Sequence, residues 1–194
     1  MTYATVMVNL ALEHSNADLL QFAGNLAQRL DAHLIGIAAS RPLPLMTGEA
    51  YADAGLYEEI LNELAAEVGK VEAEFRGALQ GRVKSVEWRS TTGTGALPDF
   101  LADEARSADL VIKSTVPGDQ LDMTRAVDSG DLLMRLGRPL LLVPPGLSSP
   151  RLDRMLVAWK DTREARRALV DAMPLLRLAR EVQVVEVVAQ QDLA

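Results

Sequence analysis

Side chains that often perform chemistry are scarce in this sequence, which contains two histidines, His14 and His33, and no cysteine. The absence of cysteine excludes disulfides, cysteine-ligated zinc, iron–sulfur clusters and thiol catalysis, and two histidines cannot form a histidine-rich metal site. His14 follows the first apolar run, where it could contact a ligand or act as a base. Because no nucleophile or acidic partner can be identified for it, the sequence favours an exposed loop histidine.

Two short segments could bind phosphate. The segment Thr91–Gly95 (TTGTG) resembles a shortened dinucleotide fingerprint, but its third glycine is missing, so we predict a strand-to-helix turn. Ser129 and Gly130 precede the apolar stretch DLLMRL, where the free amides of a helix start could hold an anion. A serine in this position is more often a helix cap, and a cap is the reading that we favour.

The elements that position these residues alternate between apolar strands and amphipathic helices. Ser15 is predicted to cap the first helix, Gly81 to end a long helix over Tyr57–Leu79, and Arg41–Glu49, with its two prolines and glycine, to be a loop. Such alternation requires parallel strands with right-handed crossovers, so the predicted fold is a doubly wound, open, parallel α/β sheet. The predicted strands are Thr5–Leu12, His33–Ala39, Val83–Ser90, Leu110–Thr115 and the run PLLLV, which ends at Pro144 and Pro145.

The C-terminal part repeats the beginning of the chain. A strand (MLVAW, from Met155), a helix and a second strand (VQVVEVV) follow in the same order as the first unit. Such a repeat is typical of an internal duplication. We therefore predict a whole domain over residues 1–147 and an incomplete second copy over residues 148–194.

Charge and hydropathy exclude two classes of partner. The net charge is −7 and the isoelectric point is 4.9, whereas nucleic-acid binding depends on lysine and arginine displacing counterions. No apolar run approaches the ~20 residues of a membrane helix, and the N-terminal segment lacks the basic start of a signal peptide. The sequence therefore predicts a cytoplasmic protein that binds neither nucleic acid nor membrane.

Several stretches resemble the universal stress protein family in its tandem form. LAQRLDAHLIGI resembles that family's first helix and second strand, VEWRSTTGTG with FLADEARSADLVI resembles its third strand, next helix and fourth strand, and MLVAWKDTREARRALVDAMPLLRLA resembles the start of the second tandem domain. The resemblance implies an adenine nucleotide alpha hydrolase-like sheet of strand order 3-2-1-4-5. It also implies that fifth strands pair between domains.

The resemblance also implies where a nucleotide would bind, and the sequence departs from the family there. The aspartate that ends the first strand beside adenine is matched by Ala11, and in the second copy by Lys160. The family's phosphate loop, G-x2-G-x9-G-[S/T], is matched by Ser114, Gly118, Ser129 and Gly130, with Ser114 and Pro117 at the first two glycine positions and eleven residues between Gly118 and Gly130. A loop with this altered spacing and a proline loses amide donors to phosphate. The site is therefore predicted to be degenerate and ATP is not an expected cofactor.

These observations predict a non-enzymatic stress-response or signalling protein that forms a homodimer and contacts a protein partner. Dimerisation is expected through an apolar edge strand. An ATP-binding switch and a nucleotide hydrolase on the same fold stay open as alternatives. The strand predicted to pair is Leu140, Leu141, Leu142 and Val143.

Overall fold

The protein is described by a computed structural model that covers residues 2–42, 54–115 and 124–187. Its described residues divide into a first unit, Tyr3–Ser149, and a second unit that contains residues 150–187. Most of the predicted loop Arg41–Glu49 lies outside the described residues. No helix in the described ranges is both long enough and apolar enough to cross a membrane.

The first unit is the predicted doubly wound sheet. All its strand pairs are parallel, and their order, β3-β2-β1-β4-β5, confirms the expected 3-2-1-4-5 arrangement. The elements are β1 Thr5–Asn9, α1 Ala17–Leu30, β2 His33–Ala39, α2 Ala54–Leu79, β3 Val86–Thr91, α3 Leu97–Glu104 followed by a 3-10 turn at Ala105–Ser107, β4 Leu110–Ser114, α4 Ser129–Leu136 and β5 Leu140–Val143.

Helices cover both faces of the sheet, which explains why its central strands are continuous apolar runs. Neighbouring residues of a strand point to opposite faces, so Ile35 and Gly36 of β2 show what lies on each side. Ile35 belongs to a buried cluster with residues of α3 and α4, whereas Gly36 lies against the Phe75 ring of α2. The strand β1, between β2 and β4, is fully buried at Val6, Met7 and Val8.

Two predicted helix caps are wrong. The residue before α1 is Asn16, and Ser15 lies one position earlier, where its hydroxyl accepts a hydrogen bond from the Ala17 amide at 3.3 Å. At α4 the cap is Asp128, whose carboxylate accepts from the Asp131 amide at 2.9 Å, so Ser129 is the first residue of the helix. Asp128 takes the role because its side chain can reach an amide three residues on.

The strands β1 and β3 are shorter than predicted. β1 ends at Asn9, after which the Leu10 amide still donates to the Ile37 carbonyl at 2.9 Å. β3 begins at Val86 because Gly81, at φ +77°, ends α2 as predicted and the Val83 amide is still bonded to the carbonyl of Leu79.

The second unit is a β-α-β arrangement, as predicted. Its strands β6, Arg154–Trp159, and β7, Glu181–Glu186, pair in parallel and are connected by α5, Arg163–Leu176. The Thr162 hydroxyl caps α5 by accepting from the Ala165 amide at 3.3 Å. Leu156 and Val184 are 63% and 61% exposed, so the sheet of this unit carries uncovered apolar side chains. The prediction that this unit is an incomplete domain stays a prediction.

Candidate ligand site at the carboxyl edge of the sheet

The strand order creates a crevice between β1 and β4. These strands are neighbours, but β1 connects through α1 to β2 on one side and β4 connects through α4 to β5 on the other. Sheets of this class bind ligands outside the carboxyl ends of the strands, at the point where the connections diverge. A ligand site is therefore expected beside the residues that follow Asn9 and Lys113.

A cavity of about 210 Å³ lies at this point, and it contains two of the predicted site residues, Ala11 and Ser114. Polar groups enter from His14, Ser15, Asn16 and Asp18 near the start of α1. Ser114 is half-buried at the end of β4 and contributes a hydroxyl to the wall of the cavity. The remaining wall is largely apolar and is formed by Leu19, Val143, Pro144, Pro145 and Gly146.

Asn16 organises the loop that carries Ala11 and His14. Its side-chain oxygen accepts from the Ala11 amide at 2.9 Å, and its side-chain amide donates to the Ala11 carbonyl at 2.8 Å. The side-chain amide also lies 3.4 Å from the His14 carbonyl and 3.3 Å from the Glu74 carboxylate of α2. Asn16 is only 3% exposed, so these bonds form largely away from water and hold the loop in one conformation.

A second, much smaller cavity of about 30 Å³ shares Ala11 and Ser114 with the first. Its wall includes Lys113, whose side chain is 5% exposed although it carries an amine, and Arg125. The Lys113 ammonium donates to the Ser114 carbonyl at 3.2 Å. Two basic residues therefore lie at the crevice, and the carboxylates of Glu67 and Glu13 pair with one of them, Arg125.

Arg125 connects the loop before α4 to two other elements. Its Nε lies 3.0 Å from the Glu67 carboxylate of α2, and a second guanidinium nitrogen lies 3.4 Å from the other oxygen of that carboxylate. Glu13, in the loop after β1, lies 3.5 Å from the same Nε. The guanidinium is thus shared between two carboxylates at the carboxyl edge.

Of the other predicted phosphate-loop residues, the structure describes Ser129 and Gly130. Ser129 and Gly130 lie in the first turn of α4 and are not among the described residues that line either cavity. Gly118 lies outside the described residues. The structure therefore brings together Ala11 and Ser114 from the predicted set, and adds Asn16, Lys113 and Arg125. A lysine inside the apolar run LVIKS was the sequence signal for Lys113.

The remaining candidates from the sequence are the two histidines and the TTGTG segment. His14 is exposed and lines the larger cavity, whereas His33 is bonded to Ser85 at 2.6 Å where β2 begins. The TTGTG segment is the predicted turn between β3 and α3, in which the Gly93 amide donates to the Thr91 hydroxyl at 3.1 Å. In the described ranges no group of three or more histidine or acidic side chains could hold a metal ion.

A charged network on β3 also lies apart from both cavities. Arg89 bonds Glu87 at 2.7 Å and Glu104 at 2.9 Å. The pKa of the Glu87 carboxyl is lowered from its usual value, chiefly because Arg89 donates a hydrogen bond to it, with a smaller contribution from His33. Ion pairs of this kind shift a pKa without marking a catalytic site.

Comparison with known proteins shows the fold. No protein-family model matches the sequence, and no curated protein matches it significantly. Among solved structures, a universal stress protein from Archaeoglobus fulgidus DSM 4304 is 14% identical, with a TM-score of 0.73 over 97% of this chain and 69% of that chain.

Two further structures match one part of the chain. UspA from Lactobacillus plantarum is 16% identical, with a TM-score of 0.52 over 74% of this chain and 99% of its own. A protein of the universal stress protein family from Burkholderia pseudomallei is 17% identical, with a TM-score of 0.52 over 73% and 96% of the two chains. The fold is that of the universal stress proteins.

Proposed function

From the universal stress protein fold, we propose that this chain is a cytoplasmic, non-enzymatic stress-response or signalling protein that dimerises and contacts a protein partner. The observation that carries the proposal is the apolar surface at β5. Among the described residues this edge strand pairs on one side, with β4. Edge strands with free backbone groups are templates for pairing with another chain.

The side chains around this edge support an interface. Leu140 and Leu141 are half-buried, and Leu142 is 43% exposed. The preceding helix adds Leu133 and Met134, which are 56% and 86% exposed. An apolar group of this kind beside an open strand edge favours a protein partner, and a second copy with the same edge could provide it.

We propose further that nucleotide binding has been lost in this chain, and the crevice supports this. Ala11 offers a methyl group where the resemblance implies an aspartate, so a hydrogen-bond acceptor for a base is missing there. The larger cavity measures about 210 Å³ among the described residues. Pockets that hold drug-sized ligands commonly measure ~300–1,000 Å³, so this one is small for a nucleotide.

Sedimentation velocity of Leu142→Lys tests the dimer. Because lysine places a charge on the edge, we expect the unmodified protein to sediment as a dimer and the variant as a monomer. Leu56→Lys is the matched control, since Leu56 is 52% exposed on α2, away from β5. A protein that is monomeric at high concentration, or a dimer that Leu142→Lys leaves intact, would contradict the proposed interface.

An ATP-binding switch is the second candidate, and one observation favours it. Ala11 and Ser114 share a cavity at the point where the chain connections diverge, and Lys113 and Arg125 lie beside it. A lysine at this place would attract phosphate, whereas the Arg125 guanidinium is already paired with Glu13 and Glu67. Calorimetric titration with ATP and magnesium separates the candidates: we expect no specific heat at physiological concentration, and micromolar binding would favour the switch.

A nucleotide hydrolase is the least supported alternative. Hydrolysis of a nucleotide requires an oriented water or a nucleophile with a base beside it, and Ser114 is the hydroxyl that lines the cavity nearest the predicted phosphate loop. The Ser114 hydroxyl has no such partner among the described residues. We propose that the protein performs no catalysis, and a phosphate-release assay with ATP should show no turnover above the rate without protein, for the unmodified chain and for Ser114→Ala alike.

A further inference from the structure

The loop before α4 is tied to three other elements at the carboxyl edge. The Thr124 carbonyl accepts from the Arg41 amide after β2 at 2.8 Å, and Thr124 is 5% exposed. The next residue, Arg125, forms its ion pairs with Glu67 of α2 and with Glu13 after β1. Thr124 and Arg125 thus connect the segments that follow β1 and β2 with the middle of α2.

These contacts lie over the crevice between β1 and β4. Arg125 forms part of the wall of the smaller cavity, together with the buried Lys113. The guanidinium is half-buried, and both oxygens of Glu67 face it. Charge-assisted bonds of this geometry are stronger than neutral ones and define the relative position of the groups that they join.

We propose that Thr124, Arg125, Glu13 and Glu67 form a charge clamp that holds the smaller cavity of this crevice closed. Releasing Arg125 from its carboxylates removes these two ion pairs, one with α2 and one with the loop after β1. The hydrogen bond between the Arg41 amide and the Thr124 carbonyl then opens more often, and Arg125 moves away from Lys113 in the wall of the smaller cavity. The clamp is a property of the monomer and does not depend on the proposed dimer or on nucleotide binding.

Amide hydrogen exchange of the full chain measures the opening directly. The reporter is the Arg41 amide, and the reference is the Leu34 amide, which donates to the Ser85 carbonyl at the opposite edge of the sheet. We expect Arg125→Gln to speed exchange at Arg41 about fivefold, since a partly exposed ion pair contributes about 1 kcal/mol, and to leave Leu34 unchanged.

The chain offers a matched control in Arg135. This arginine also bridges two carboxylates, Asp131 at 2.8 Å and Asp99 at 2.6 Å, but it lies on α4 beside α3. Arg135→Gln should change exchange at Arg41 less than twofold. Glu67→Gln preserves the shape of the side chain but removes one of the two charges that pair with Arg125, so exchange at Arg41 should rise in the same direction by a smaller factor. This variant serves as the test if Arg125→Gln does not fold.

Three results would overturn the clamp. Exchange at Arg41 could be unchanged in both Arg125→Gln and Glu67→Gln. It could rise equally in Arg135→Gln, or the Leu34 amide could accelerate to the same extent, which would indicate general loosening of the fold. ATP titration of the unmodified protein tests the proposed function separately, because its outcome does not alter these exchange rates.

Discussion

At the scale of single residues, Asn16 shows how one buried polar side chain sets the path of a loop. It satisfies both the amide and the carbonyl of Ala11 and also contacts Glu74 on another helix. A buried backbone group without a partner costs about 1–3 kcal/mol. The Asn16 side chain therefore contributes to the conformation of the loop after β1.

We predict that Asn16→Ala destabilises the protein by about 2–3 kcal/mol, because two backbone groups of Ala11 lose their partner. Urea unfolding measures the change. Asn62→Ala is the control, since Asn62 is exposed on α2 and alanine favours a helix, so its unfolding free energy should change little or rise slightly. Equal losses in both variants would show that the loop does not depend on the bonds of Asn16.

A second residue-scale prediction concerns Glu87. Its pKa in the folded state is lowered from 4.5 chiefly by the Arg89 hydrogen bond, so its pairing stabilises the protein above pH 4.5 and is lost as the pH falls through the lower folded value. In Glu87→Gln the free energy of unfolding should therefore fall less steeply below about pH 4.5. Urea unfolding at a series of pH values tests this, and identical slopes for the two proteins would refute it.

At the scale of elements, the contact between α2 and β2 depends on a missing side chain. A Cβ atom at Gly36 would lie 2.7 Å from two carbon atoms of the Phe75 ring, closer than any normal contact. The same ring packs against Trp88 of β3, with ring centroids 5.6 Å apart. Gly36 thus allows α2 to cover two strands.

Gly36→Ala should lower the unfolding free energy by about 1–3 kcal/mol, because the added methyl group overpacks the space under Phe75. Gly69→Ala is the matched control. A Cβ at Gly69 has open space within α2, so alanine there should stabilise by about 0.5–1 kcal/mol. Thermal unfolding of both variants gives the comparison, and a neutral Gly36→Ala would mean that Phe75 moves aside freely.

The elements could be predicted from the sequence because their signals are local. Apolar runs such as LVIK predict buried strands, and Gly81 predicts the end of a long helix. The sheet order came from the family resemblance. The crevice was less predictable, since Arg125 and Glu67 are separated by 58 positions, and no local pattern indicates that they meet. The cap of α4 was also hard to predict, because Asp128 and Ser129 are neighbours and both residue types are suited to that position.

At the scale of the whole molecule, the two units differ in how well they bury their apolar residues. In the first unit β1, β2 and β4 are almost entirely buried. In the second unit β7 is exposed at all positions but Val185, which is half-buried, and the apolar Val182 and Val184 are 42% and 61% exposed. Burial of apolar area is the main favourable term in folding, so the units should differ strongly in stability.

We predict that the second unit, produced alone from Pro150 onward, shows no cooperative thermal transition, whereas residues 1–147 remain folded. Two strands and one helix bury little apolar area. Chains below ~70–80 residues seldom reach a stable core without disulfides or a structural metal. The sequence has no cysteine to form a disulfide or to bind a metal. Limited proteolysis of the full chain should then cut first near Ser148–Arg151, where the chain passes between the units. Circular dichroism melting of the two pieces decides the matter, because a cooperative transition of the isolated second unit as a monomer would show that its exposed valines do not prevent independent folding.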